Sequence, residues 1–417
     1  VNGAARPPML TVAAALARMA GAARPVRDQE TIATLHANGR VLAAPQASTI
    51  AVPSADNTQM DGYAVRALDC ASGQARLRVS QRIPAGHVGE PLLPGCAARI
   101  FTGAMIPAGA DAVVMQEQCE AHDDGTVTIR HAPPAGEWIR RAGEDIAAGA
   151  TILPAGVRLR SQELGLAAST GIATLPVLRR LRVAVFFTGD ELAMPGETPN
   201  GLAPGAIYNS NRFTLRALLE NLGCEIHDLG IVPDTLDATR AALRAAAAAN
   251  DLIITSGGVS VGEEDHIKPA VEAEGRLDMW QIAVKPGKPL AFGEVRRSAA
   301  DQDTAFFVGL PGNPVSSFIT FLLFVRPFIL RLQGVADPAP PRSYAVRADF
   351  AWAKPDRRNE FLRVRFNSED GLDLFPNQGS GVLTSTVWGD GLVDNPPGQA
   401  IAPGDTVRFI PFSELLY

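Results

Sequence analysis

Lys285-Pro286-Gly287-Lys288-Pro289 sets two lysines three residues apart on a turn stiffened by proline. A turn already restricted in the unfolded chain loses little further entropy when its ammonium groups close on an anion. At ~4 Å and an effective dielectric of ~20, each contact with a unit charge is worth roughly 4 kcal/mol before desolvation. Most lysine pairs are only solvated; the flanking prolines and the loops upstream argue for an oxyanion clamp. Ser256-Gly257-Gly258-Val259-Ser260 leads into Val261-Gly262-Glu263-Glu264-Asp265-His266-Ile267-Lys268. Paired glycines let backbone amides approach a phosphate, and a helix beginning at Asp265 adds the positive end of its dipole. Asp265 suits an N-cap, and it also suits a magnesium ligand against a phosphate; the two roles are compatible. Two further loops carry polar or glycine-rich chemistry: Thr188-Gly189-Asp190-Glu191, and Gly309-Leu310-Pro311-Gly312-Asn313-Pro314. The segment Asp56–Val65, which contains Asp61, reads alone as an Asx and glycine turn.

The elements behind these loops alternate. Val183–Phe187, Glu225–Val232, Leu252–Thr255 and Ala305–Leu310 are strand-like, and Asn211–Leu222, Thr235–Ala249 and Val315–Leu332 are helix-like, with Asp234 placed to cap the second helix. This pattern predicts a doubly wound parallel sheet, whose ligands bind beyond the carboxyl ends of the strands. One such loop could be an ordinary turn, but three in one sheet define a crevice. Before it lie helix-like stretches at Leu10–Ala20, Asp28–Ala37 and Gln162–Ala168. Between the last two are short β runs at Arg76–Ser80, Ala112–Gln116, Thr126–Arg130 and Thr151–Leu159, punctuated by glycine and proline. After a proline-rich linker, Ala336–Pro341, alternating runs return at Tyr344–Phe350, Phe361–Phe366 and Thr406–Ile410.

Composition narrows the function. In 417 residues, 46% are hydrophobic and 20% charged, enough for several folded cores and unlike a disordered chain. A net charge of −6 argues against a nucleic-acid footprint or a polybasic membrane patch. Four cysteines without a C-x-x-C pair, and six histidines without a close pair, leave no thiolate or imidazole metal site in view. A metal here would be a hard cation on carboxylates. The apolar stretch Phe318–Leu332, interrupted by Arg326 and Pro327, is too short to span a membrane. The expectation is a cytoplasmic protein.

These segments together resemble the MoeA-type molybdopterin molybdenumtransferases, the family that includes the E domain of gephyrin. The resemblance rests on Asp56–Val65, Thr102-Gly103-Ala104, Gly143-Glu144-Asp145-Ile146, Thr188–Leu192, Ser256–Lys268, Lys285–Pro289, Gly309–Ser316 and Asn377-Gln378-Gly379-Ser380, in that order along nearly the whole chain. It implies a composite N-terminal domain (1–54 with 146–175), an inserted β domain (55–145), the α/β molybdopterin-binding domain (176–335) and a C-terminal β barrel (336–417). It also implies a homodimer, with the N-terminal part of one subunit facing the crevice of the other.

The resemblance further implies a magnesium-dependent reaction in which molybdate enters adenylylated molybdopterin and AMP is released. By motif, the acidic and metal set is Asp61, Glu191, Asp234 and Asp265, and the molybdate set is Lys285, Lys288, Ser316, Arg363 and Ser380. Thr102, Asp145, Pro311 and Pro314 match further site positions, and Ser256, Gly257, Gly258 and Ser260 form the phosphate loop. Where such proteins commonly show Tyr-Asp-x-Asn, this chain has Tyr208-Asn209-Ser210-Asn211. Asn209 keeps an oxygen and loses a charge, so it stays outside the metal set. Two other activities fit the same α/β module: a molybdopterin adenylyltransferase, which would consume ATP, and a gephyrin-like scaffold. The adenylyltransferase is also a candidate partner that supplies the substrate.

Overall fold

The computed structural model describes residues 9–198, 201–258, 266–298 and 303–416. They form two compact units: the described residues within 9–30, 39–41 and 177–416 belong to one, residues 31–38 and 42–176 to the other.

The larger unit opens with helix α1 (Val12–Ala22), capped by Thr11, whose hydroxyl accepts from the Ala14 amide at 3.1 Å. Its α/β portion runs β1 (Arg182–Thr188), α2 (Ser210–Asn221), β2 (Glu225–Val232), α3 (Leu236–Ala249), β3 (Leu252–Ser256), α4 (Ile267–Glu274), β4 (Gly275–Gln281), β5 (Pro289–Arg296), β6 (Thr304–Leu310) and α5 (Pro314–Leu332). The strand order is β2-β1-β3-β6-β5-β4. β2, β1, β3 and β6 are mutually parallel, and the inner strand Leu252–Ser256 is buried throughout, as covering a sheet on both faces implies. β5 and β4 extend the sheet as an antiparallel pair.

Side chains alternate across the sheet and fill two cores. On one face Val183, Val185, Leu252, Ile254, Phe306 and Val308 pack with α1, α2 and α5. On the other Ala184, Phe186, Ile253 and Phe307 pack with α3 and α4.

Two local expectations change. Thr235, not Asp234, caps α3, its hydroxyl accepting from the Ala238 amide at 3.3 Å. The helix after the glycine loop starts at Ile267 rather than Asp265, with His266 at the cap position. Asp265 itself and Ser260 lie outside the described residues. The helix expected at Val315–Leu332 runs Pro314–Leu332, through Arg326-Pro327: a π turn, Phe321–Val325, precedes the proline and accommodates its missing N–H. Of the apolar window of this helix, 78% is buried inside the protein, so its apolar length serves the core.

The carboxyl-terminal strands close on themselves. Asn359–Phe366 pairs with Leu372–Leu374 and with Gly391–Asn395, which pairs with Thr406–Pro411, which pairs with Tyr344–Arg347. A bridge from Ala348 to Leu372 completes the barrel around Leu362, Val364, Val393, Val407 and Phe409. A two-residue strand, Val284–Lys285, lies parallel to Asn359–Glu360 at its edge.

The smaller unit is built on a six-stranded sheet in the order Ala112–Met115, Gly62–Val65, Cys96–Ile100, Ala75–Ile83, Thr126–Ile129, Cys119–Ala121. The helix expected at Gln162–Ala168 is Ser161–Ser169. The one expected at Asp28–Ala37 is instead a strand, Gln29–Ala33, and a single 3-10 turn, Thr34–His36. Thr31, Ile32 and Thr34 are β-branched, and Thr34 donates its amide to Ala173 O and its hydroxyl to Ile172 O.

Candidate functional site

The loops after β1, β3 and β6 converge at the carboxyl end of the sheet, where the turn before β5 and the barrel residues Arg358 and Gln378–Ser380 join them. They enclose a cleft of about 760 Å³. Of the residues expected at the site, Glu191, Asp234, Ser256, Gly257, Gly258, Lys285, Lys288, Pro311, Pro314, Ser316 and Ser380 all line it.

Hydrogen bonds between loops hold the cleft open. Ser256 Oγ accepts from Asn211 Nδ2 at 2.8 Å and donates to Pro311 O at 2.9 Å, while the same Asn211 nitrogen donates to Gly312 O at 2.8 Å. The Ser256 hydroxyl is thereby committed to fastening three loops. Gly257 stands at φ +99°, where a Cβ would lie 2.9 Å from Thr188 O, so the backbone can pass only as glycine. Gly287 stands at φ +112°, and its Cβ would meet Thr320 Oγ1 at 2.4 Å.

The two lysines differ in their surroundings. Lys285 Nζ lies 3.1 Å from Glu360 Oε1 and 3.6 Å from Asp356 Oδ2, above the Trp352 ring. Glu360 is fully buried and also accepts from Trp352 Nε1 at 2.7 Å and from the Asp356 amide at 3.1 Å. Lys285 lines the cleft as expected of a clamp, but its charge is already matched by Glu360 and Asp356. Arg358 is committed as well, forking onto Asp356 at 3.0 and 2.8 Å and holding that carboxyl well below the usual range. Lys288 makes no ion pair among the described residues and is the cation left for a ligand.

Arg363 does not reach the cleft wall. It is 1% exposed beneath the wall and donates to Gly379 O at 3.1 Å and Ser385 Oγ at 3.1 Å; burial pushes its pKa down to about 10. With Gln378, which exchanges hydrogen bonds with the Arg363 backbone, it shapes the loop that presents Ser380.

Two carboxylates suit a hard cation. Glu191 and Asp234 both face the cleft, and magnesium binds through one or two carboxylates plus phosphate oxygens. Asn209 Oδ1 is engaged within the fold, capping α2 by accepting from the Arg212 amide at 3.1 Å.

Asp61, Thr102 and Asp145 belong to the smaller unit. Asp61 Oδ1 accepts from the Thr102 amide and hydroxyl, both at 2.8 Å, and these bonds hold its carboxyl below the usual range. Asp145 is exposed. Sequence reasoning missed Arg358 and the Asp356–Glu360 pair, and held Gln378 only as part of a motif. The polar run Asp356-Arg357-Arg358-Asn359-Glu360 before a strand was the available signal.

A mixed α/β sheet with a polar cleft at its carboxyl edge, carrying a β barrel behind it, defines the class. Residues 184–331 match the domain described as "Probable molybdopterin binding domain". Residues 10–171 match the MoeA N-terminal region (domain I and II), and residues 345–412 the MoeA C-terminal region (domain IV). Over 387 residues the chain is 41% identical to a molybdopterin molybdenumtransferase of Haemophilus influenzae, covering 91% of this chain and 93% of that one. It is 36% identical over 383 residues to a Nostoc protein of the same name, covering 89% and 86%. A crystal structure of a MoeA protein from Pyrococcus horikoshii, 25% identical, superposes with a TM-score of 0.82 over 97% of this chain and all of that one. The chain belongs to the MoeA family.

Proposed function

We propose that this chain is a cytoplasmic molybdopterin molybdenumtransferase, which inserts molybdate into adenylylated molybdopterin and releases AMP. One observation carries the reading: a single cleft gathers an unpaired lysine, two carboxylates and the ends of three strand loops. Lys288 holds the molybdate dianion by a charge-assisted contact, with Ser316 and Ser380 as neutral donors. Lys285, matched by Glu360 and Asp356, keeps the turn in place. The Gly257-Gly258 backbone admits the phosphoanhydride closely.

Glu191 and Asp234, with Asp265, would hold magnesium, which supplies neutralisation of phosphate oxygens. An incoming oxygen forms a new bond to phosphorus as the anhydride bond breaks, AMP leaves, and the proton passes to solvent. Positioning and fixed charge supply most of the acceleration, as in phosphoryl transfer generally.

The assembly is a homodimer in this reading, with Asp61, Thr102 and Asp145 of one subunit completing the crevice of the other. Ile207, an exposed apolar side chain lining the cleft, supports a protein contact there. The test is incubation with adenylylated molybdopterin, molybdate and magnesium, following AMP release and molybdenum insertion together. AMP release without molybdenum insertion, or neither, refutes the assignment.

A further inference from the structure

Asn209 is 2% exposed and lines the cleft at the amino end of α2. Its backbone amide donates to Ala193 O at 2.9 Å, and its Oδ1 accepts from the Arg212 amide. Turning the side-chain amide over would set one N–H donor against another, so the capping bond fixes which branch is oxygen. The other branch, Nδ2, is buried with no hydrogen-bond partner. Burying an amide donor without a partner is costly, and native proteins rarely leave one so. The same wall carries Asn211, Ser256, Gly257 and Gly312, and α2 adds twelve residues of helix dipole behind it. The unpartnered donor, the glycine backbone and the amino end of the helix favour an electron-rich atom.

We propose that Asn209 Nδ2 donates directly to a phosphoryl oxygen of the ligand, making this wall a phosphate-binding surface independent of metal. The inference rests on the reading that the cleft takes a phosphoanhydride, and it assigns one end of that group to the amino end of α2. A carboxylate at this position would cap the helix equally well but would present a negative oxygen. It could meet a phosphoryl group only through a bridging cation. The amide removes that need.

Calorimetric titration with inorganic pyrophosphate, the simplest species carrying both phosphoryl groups, tests this in wild type, Asn209→Ser and Asn209→Asp, with and without magnesium. Serine and aspartate both cap helices well, so melting temperatures should stay within about 2 °C of wild type. Without magnesium, wild type should bind and Asn209→Ser should bind about 10- to 100-fold more weakly, the effect of one donor to a charged acceptor. Asn209→Asp should lose at least as much and recover when magnesium is added, while wild type gains less. Equal affinity in all three folded proteins, or no wild-type binding, overturns the inference. Should Asn209→Ser fail to fold, the magnesium response of Asn209→Asp decides alone. If wild type inserts molybdenum yet the three proteins bind pyrophosphate alike, the function stands and this inference falls. The reverse pattern keeps the phosphate wall and removes the transferase reading.

Discussion

Lys285 and Lys288 share a residue type and a turn, and only their neighbours separate them. Glu360 neutralises Lys285 from seventy-five residues away, so nothing in the turn itself announces the difference. Lys288→Ala should therefore act on chemistry rather than folding. Its stability should change by less than about 0.5 kcal/mol, while turnover falls ~10²- to 10³-fold as one preorganised charge is lost. The apparent requirement for molybdate should rise, and excess molybdate should restore part of the rate. Steady-state kinetics across molybdate concentrations, beside a thermal melt, checks both halves. The site residues carried by local motifs, such as Glu191, Ser256 and Ser380, are legible because the loop chemistry is contiguous in sequence. Arg358, Glu360 and the free branch of Asn209 are not, since each acquires its role from a contact made by folding.

At the level of elements, the alternation of strands and helices is readable because parallel strands buried on both faces appear as apolar runs. The reversal of β4 and β5 is not, because apolar content carries no strand direction. Helix starts are misread where adjacent residues compete for one cap, as Asp234 and Thr235 do. The lysine turn depends on its packing against α5. Gly287→Ala places a Cβ against Thr320 Oγ1 at positive φ and should cost about 1–3 kcal/mol, measured by urea unfolding. Adding Thr320→Ala should recover only the steric part, since the backbone conformation remains unfavourable. At the opposite end of the sheet, Asp251 accepts from Arg179 at 2.7 and 2.9 Å and from the Arg182 amide at 3.0 Å. Burial works to raise its pKa, but the Arg179 fork and the amide outweigh burial, so the folded value lies below 3.8. Stability from this carboxylate is complete above 3.8 and disappears as pH falls through the folded value. Asp251→Asn should lower stability at pH 7 by about 1–3 kcal/mol and flatten the acid limb of unfolding below pH 4. Denaturation at pH 7 and at pH 3.5 compares the two proteins.

For the whole molecule, the order of matched regions is legible from end to end, whereas the assembly is not, because an interface writes no period into the sequence. If Asp61 of one subunit completes the crevice of another, two inactive variants can repair each other. Mixing Asp61→Asn with Lys288→Ala protein and allowing subunit exchange should restore about a quarter of wild-type sites, as random pairing in a two-fold dimer requires. Complete lack of recovery after confirmed exchange would place Asp61 outside the partner's site. The short strand Val284–Lys285 adds a matter of timing. It is hydrogen-bonded along the barrel strand Asn359–Phe366, while Pro289–Arg296, three residues beyond it, belongs to the central sheet. The ribosome finishes every strand of that sheet before it makes Glu360, Arg363 or Ser380, and the barrel then waits for Thr406–Pro411. A nascent chain can thus possess the whole sheet and still lack the barrel residues that line the cleft, whose wall is supported only after synthesis has passed the final barrel strand.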